Sequence, residues 1–230
     1  MEGIAERVGT VRERIAAAAA RAGRDPADIT LVAVSKAFPP EAIRAAAAAG
    51  VTDIGENRVQ EAVPKVAAVG RGVRWHLVGH LQTNKAKTAV RHFDWIHSLD
   101  SLRLAEALQK AAVAGSLEVV PVLVEVNLGG EASKAGLSEA DLLPLLRGLA
   151  ALPRIRVEGL MVIPPFLEDP EAGRPYFGRL RALAEKARAE GPPHVRMVHL
   201  SMGMSHDFEV AVEEGATMVR VGTAIFGPRP

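Results

Sequence analysis

The sequence predicts a single (β/α)8 (TIM) barrel with an extra N-terminal helix, one domain over residues 1–230. Three observations carry this. Eight short apolar runs alternate with helical segments, the order that gives a parallel sheet with helices outside. No Pro/Gly/Ser linker or shift of composition interrupts the series. No G-x-G-x-x-G follows any apolar run, which disfavours the competing doubly wound open sheet. Eight repeats in 230 residues sit at the compact end of the barrel's size range.

The elements follow in order. Glu2 to Arg21 reads as an amphipathic helix stopped by Gly23. Leu31–Ser35 is the first strand, rich in Val, and Glu41–Ala49 a helix ending at Gly50. Asp53–Gly55 and Trp75–Gly79 are strands two and three, each followed by a helix, Arg58–Val69 and Thr83–Arg91. Asp94–His97 is strand four, and Leu102–Ala114 is a helix capped by Asp100 or Ser101. Val119–Val126 is a long apolar strand, and Ser138–Leu149 opens on Ser138-x-x-Asp141, close to a capping box. Val157–Ile163 and Val195–Leu200 are strands six and seven around the helix Glu171–Ala189. Asp207–Glu214 is a helix closed by Gly215, and Thr217–Val221 is strand eight. The alanine runs 16–20 and 45–49 fit helices, because alanine is the best helix former.

Composition narrows the functional classes. Hydrophobic residues make up 48 % and charged residues 24 % of the chain, enough apolar material for a substantial core. The 28 basic and 27 acidic residues leave a formal net charge of +1, so no global field favours nucleic acid or an anionic membrane. There is no cysteine, which removes disulfides, thiolate nucleophiles and Cys-ligated metal sites. The longest apolar stretches, such as Ile15–Ala20 and Val119–Val124, are too short to span a bilayer. The charged N-terminal helix is not a secretory signal. A cytoplasmic protein is expected, with neither nucleic acid nor membrane as partner.

In such a barrel the site lies at the C-terminal ends of the strands. Strand one ends Val34-Ser35-Lys36, and period two puts Val32, Val34 and Lys36 on one face. A partly desolvated lysine there has a depressed pKa and can form a Schiff base; the alternative is a lysine snorkelling at a strand end. Strand seven runs into Ser201-Met-Gly-Met-Ser205 and strand eight ends Arg220-Val-Gly222-Thr223. Small residues at two successive strand ends make an anion cradle where barrels often hold phosphate, or else Gly203 and Gly222 serve tight turns. Arg220 shares a face with Gly222 and points inward, where it needs an acceptor. Asn57 reads by default as a helix cap. Strand five ends on a polar pair, Glu125 and Asn127. His76 and His80 stand four apart on a strand-like segment, a spacing that makes no metal pair there, and no glutamate follows His76. No metal site is expected. His199 is either near the site or a satisfied core histidine, and Tyr176 falls in a helix.

Several segments together resemble one family. They are Val32-Ala-Val-Ser-Lys36, Gly55-Glu-Asn-Arg-Val-Gln-Glu61, His76-x-x-Gly79-x-Leu-Gln-x-Asn-Lys85 and Gly159-Leu-Met-x-Ile-Pro-Pro165. Leu200-Ser-Met-Gly-Met-Ser-x-Asp207 and Val219-Arg-x-Gly-x-x-Ile-Phe-Gly227 complete the set. In this order they resemble the pyridoxal-phosphate homeostasis family, itself similar to the N-terminal barrel of alanine racemase. The resemblance covers essentially the whole chain.

It implies that Lys36 carries pyridoxal 5′-phosphate (PLP) as an internal aldimine. Ser201, Gly203, Gly222 and Thr223 would hold the phosphate, Arg220 would face the pyridine nitrogen, Met161 would lie near the ring, and Asn57 would line the pocket. An arginine beside that nitrogen disfavours its protonation and weakens the ring as an electron sink. The racemases bring a tyrosine on a second, all-β domain, and no such domain is expected here after strand eight. The expectation is therefore a PLP carrier, not an enzyme, with no catalytic residues. It would deliver the cofactor to free amino acids or apo PLP-enzymes, as a monomer. The alternative is a weak racemase or lyase, for which His199 and Lys134 are the nameable acids. A third reading drops the cofactor and keeps a Schiff-base barrel acting on a phosphorylated sugar. Arg156, Arg174, Arg179 and Arg181 read as a solvated helix face or, alternatively, a basic patch for a second PLP.

Overall fold

The protein is seen in a computed structural model that describes residues 3–130, 135–192 and 195–228. Eight parallel strands close into a barrel in sequence order. They are β1 (Thr30–Val34), β2 (Asp53–Glu56), β3 (Arg74–Leu77), β4 (Trp95–Leu99), β5 (Val120–Glu125), β6 (Ile155–Met161), β7 (His199–Met204) and β8 (Met218–Val221). Closure is made by β1 against β8, with Val32 opposite Arg220. The barrel and the added N-terminal helix are as the alternation predicts.

The helices sit outside and carry the apolar bulk of the core. α1 (Ile4–Arg21) buries Ile4, Val8, Val11 and Ile15, one stripe of its surface. α2 (Pro40–Ala48), α3 (Val59–Val69), α4 (Ala86–His92) and α5 (Leu102–Ala114) follow β1 to β4. Ser101 caps α5, its hydroxyl accepting from the Leu104 amide at 3.3 Å. α6 (Leu142–Gly148) starts after a 3-10 turn over Glu139–Asp141. Ser138 spends its hydroxyl on the Asp141 carboxylate at 2.6 Å, so the capping box expected there does not form. α7 (Arg174–Glu190), α8 (Phe208–Glu213) and a short α9 (Thr223–Phe226) complete the order.

Two differences from the sequence reading matter for function. Strand seven lies at His199–Met204, about four residues later than Val195–Leu200, so Ser201-Met-Gly-Met is strand and not loop. α9, a single turn, escaped notice because four residues carry no period.

The four arginines, read as a solvated helix face or alternatively a basic patch, are each paired with glutamate, and Arg156 lies on β6. Arg174 bonds Glu171, Glu213 and Glu214, Arg181 meets Glu214, Arg179 meets Glu139, and Arg156 meets Glu158. Among the described residues no helix is long and apolar enough to cross a membrane.

Candidate functional site

A cavity of about 570 Å³ opens at the C-terminal mouth of the barrel. Lys36, Asn57, Glu125, Ser205, Arg220 and Thr223 are among its lining residues. They arrive from five strand ends, β1, β2, β5, β7 and β8, with Arg220 and Thr223 both from β8.

Lys36 follows β1 and is held by its neighbours. The Ser35 hydroxyl donates to Glu56 Oε1 at 2.5 Å, and Lys65 Nζ donates both to that oxygen at 2.7 Å and to the Ser35 carbonyl at 2.9 Å. Glu56 and Lys65 are buried, so β2 and α3 clamp the backbone one residue before Lys36. One residue after it, Ala37 turns the chain with φ of 66°. Val34, on the same face, lines the cavity beside Lys36, as the period-two reading expects.

Asn57 is not the helix cap: Arg58 holds that position and makes no capping bond. Asn57 lines the cavity instead, and β3's loop crosses it closely. A Cβ at Gly79 would lie 2.4 Å from the Asn57 carbonyl oxygen, which accounts for a glycine in that segment.

The β7–β8 wall is built around a register shift between Ser201 and Met204. Gly203 stands in that shift with φ of 88°, and a Cβ there would meet Ala211 Cβ at 2.5 Å. Its absent side chain lets α8 pack against β7. After the shift, Ser205 faces the cavity. Its Oγ accepts from the Gly222 amide at 3.1 Å and the Ala224 amide at 3.3 Å, tying the β7 loop to the start of α9. A hydroxyl that accepts twice still has its hydrogen to donate.

Arg220 reaches the cavity from β8 yet is only 4 % exposed. Nη1 donates to Ser201 Oγ at 2.6 Å and Nη2 to the Val162 carbonyl at 2.8 Å. Burial lowers its pKa to about 10, against the pull of Glu125 and Asp207. Glu125 is pushed up to about 7 by burial, only partly offset by Arg220. Its Oε2 is buried without a hydrogen-bond partner among the described residues.

The cavity thus gathers Lys36, Asn57, Arg220, Gly222 and Thr223. Three other predicted residues lie elsewhere. Met161 is fully buried with Leu123 and Met218 in the barrel interior. Ser201, the third residue of β7, is spoken for by Arg220 and His97. Gly203 serves the approach of α8. Both shifts of role follow from strand seven starting later than expected. His199 bonds Thr217 and packs edge-on to Trp95, away from the cavity lining, and Lys134 lies outside the described residues. Tyr176 packs against the core from α7. The sequence reading missed Ser205, although it ends the quoted segment, and the Glu56–Lys65 pair, nine residues apart with no local pattern to join them.

Residues 7–230 match the family model for the alanine racemase N-terminal domain. The chain is 48 % identical over 225 residues to the pyridoxal phosphate homeostasis protein of Aquifex aeolicus, covering 97 % of each. It is 44 % identical to the Pseudomonas aeruginosa protein of that name, over all of this chain and 97 % of that one. This chain belongs to the pyridoxal phosphate homeostasis protein family. Among solved structures, PipY of Synechococcus elongatus PCC7942 with PLP bound is 42 % identical, covering 97 % of this chain and 100 % of that one, with a TM-score of 0.85. Alanine racemase of Corynebacterium glutamicum, 19 % identical, shares the fold at a TM-score of 0.73, over all of this chain and 62 % of its own.

Proposed function

We propose that the barrel binds PLP at its C-terminal mouth, with Lys36 as the attachment point, and serves intracellular PLP homeostasis by delivery and not by sustained catalysis. The observation that carries this is one cavity with an amine on one wall and a hydroxyl-and-amide cradle on another. Lys36 supplies the amine, and Ser205, Gly222 and Thr223 supply the cradle. The donor set fits an aldehyde that also bears a phosphate. The buried, partnerless Glu125 oxygen fits a polar occupant. The PLP-bound neighbour of 42 % identity supports the same reading.

When bound, PLP would offer its aldehyde for a Schiff base with an amine. The chain's residues do the rest. The clamp on Ser35 holds the Lys36 backbone, so its amine meets the cavity without a search. The cradle fixes the anionic end. Arg220, which can only donate, presents N–H groups to the ring's nitrogen. Asn57 and Val34 wall the remaining side. The mouth stays open, which lets free amino acids or an apo PLP-enzyme reach the cargo. Met161, Ser201 and Gly203 support this site from behind.

Glu125 favours a second reading, a weak racemase or lyase, because a carboxyl of pKa about 7 can hold or release a proton at neutral pH. One experiment separates the two. The PLP-loaded protein is incubated with amino acids in deuterated water and with an apo PLP-enzyme. The carrier reading expects transfer of PLP to the enzyme and no sustained exchange of the α-hydrogen. Steady exchange that is lost in Glu125→Gln would establish the enzyme reading instead.

A further inference from the structure

The barrel interior holds a polar line that the binding reading does not use. Arg220 Nη1 lies 2.6 Å from Ser201 Oγ, and Ser201 Oγ lies 3.0 Å from His97 Nδ1. His97 Nε2 lies 2.9 Å from His76 Nδ1, and His76 Nε2 lies 2.8 Å from Asp53 Oδ1. Ser201, His97 and His76 are all fully buried, and Asp53 nearly so. At the far mouth, Arg74 closes the line with two 2.7 Å bonds to the Asp53 carboxylate.

The chemistry of the two ends fixes the direction. Arg220 can only donate, and a carboxylate can only accept. Four hydrogen bonds join them, so four hydrogens are needed, all pointing toward Asp53. Arg220, the Ser201 hydroxyl and two neutral imidazoles supply that number. The alternative arrangement of neutral rings fails at Asp53. If His97 carried its hydrogen on Nδ1, its bare Nε2 would take the hydrogen of His76 Nδ1, and a bare His76 Nε2 would then face the Asp53 carboxylate, acceptor against acceptor. Burial, together with the charge of Arg220, keeps His97 neutral.

We propose that Asp53, His76, His97 and Ser201 form a one-way hydrogen-bond chain through the barrel that positions Arg220 as a donor at the cavity. Both histidines carry their hydrogen on Nε2. The four are positioning residues, acting through Arg220. What Arg220 is positioned toward rests on the PLP reading; the chain itself does not. Ser201, for which the family resemblance implies a phosphate contact, has this role instead.

The test uses full-length protein labelled with 15N-histidine, first without PLP. Long-range 1H–15N spectra at pH 7 are expected to show a protonated Nε2 and a bare Nδ1 on both His76 and His97. An imidazolium, or a hydrogen on Nδ1 of either ring, would overturn the proposal. In Ser201→Ala the His97 Nδ1 resonance should move toward that of a nitrogen with no donor. On PLP addition the absorption maximum of the bound cofactor should shift and affinity fall about 10-fold, and Ser201→Thr, which keeps the hydroxyl, should restore both. If Ser201→Ala leaves the nitrogen and the spectrum where they were, the chain does not position Arg220. Should that variant fail to fold, the wild-type tautomers still decide. Correct tautomers in a protein that takes up no PLP would sink the PLP reading and leave the chain standing.

Discussion

The two mouths of this barrel hold similar room and opposite chemistry. At the N-terminal mouth a cavity of about 500 Å³ is lined by Arg12, Thr52, Asp53 and Arg74, among others. Its charges are matched: Asp53 takes two bonds from Arg74, one from Thr52 and one from His76. Those donors outweigh burial and hold its carboxyl well below the usual range. At the C-terminal mouth, Glu125 has a buried oxygen without a partner, and burial holds its pKa up. One end is arranged to stay as it is, and the other keeps polar groups ready for an occupant. The difference teaches where stability and binding separate in this fold.

Substitutions at each mouth sharpen that contrast. The largest effect is expected from Asp53→Ala at the matched end. It removes a carboxylate that accepts four hydrogen bonds and leaves buried His76 without its acceptor, and should cost about 3–5 kcal/mol in urea unfolding at pH 7. The sign with pH follows from the depressed carboxyl. Its stabilisation is complete above the unfolded pKa and is lost as pH falls toward the folded one, so the gap between the variant and the wild type should narrow progressively as pH drops below about 4.

Glu125 at the open end should behave in the opposite sense. Its folded pKa is raised, so the native state binds the extra proton and stability falls as pH rises from about 4.5 to about 7. Glu125→Gln should remove that fall, on the order of 3 kcal/mol, in melting curves taken at pH 5 and pH 8. A Glu125→Gln protein with the wild-type pH slope would erase the contrast between the mouths.

Thr223→Asp places a carboxylate in the cradle on an exposed residue. PLP affinity by equilibrium dialysis should drop about 100-fold, roughly 2.7 kcal/mol, with the melting temperature unchanged. The smallest effect is expected from Arg174→Ala. Its three glutamate partners form a partly exposed network, and the loss should be about 1 kcal/mol or less and should shrink in salt.

The barrel was legible because each βα repeat carries two readable periods, alternating apolar residues and an apolar helix stripe. Lys36, Arg220 and the Gly222–Thr223 end were legible for the same reason, since period two from an apolar strand fixes which residue faces in. Strand seven was not. Its segment Ser201-Met-Gly-Met looks like a loop, and the register shift at Gly203 breaks the alternation that would have revealed a strand. That one displacement moved Ser201 behind the cavity and brought Ser205 to it. The Glu56–Lys65 clamp and the Asp53–His76–His97 line join residues on separate strands and helices, and contacts of that kind leave no trace in local sequence.

The central claim is that Lys36, at the mouth with polar groups to spare, is where PLP attaches. The most direct measurement is borohydride reduction of the PLP-treated protein, followed by peptide mass spectrometry. The account predicts one reduced pyridoxyl group per chain, on the peptide containing Lys36, and none in Lys36→Ala. Label spread over exposed lysines such as Lys87 and Lys110, with Lys36 unmodified, would contradict it.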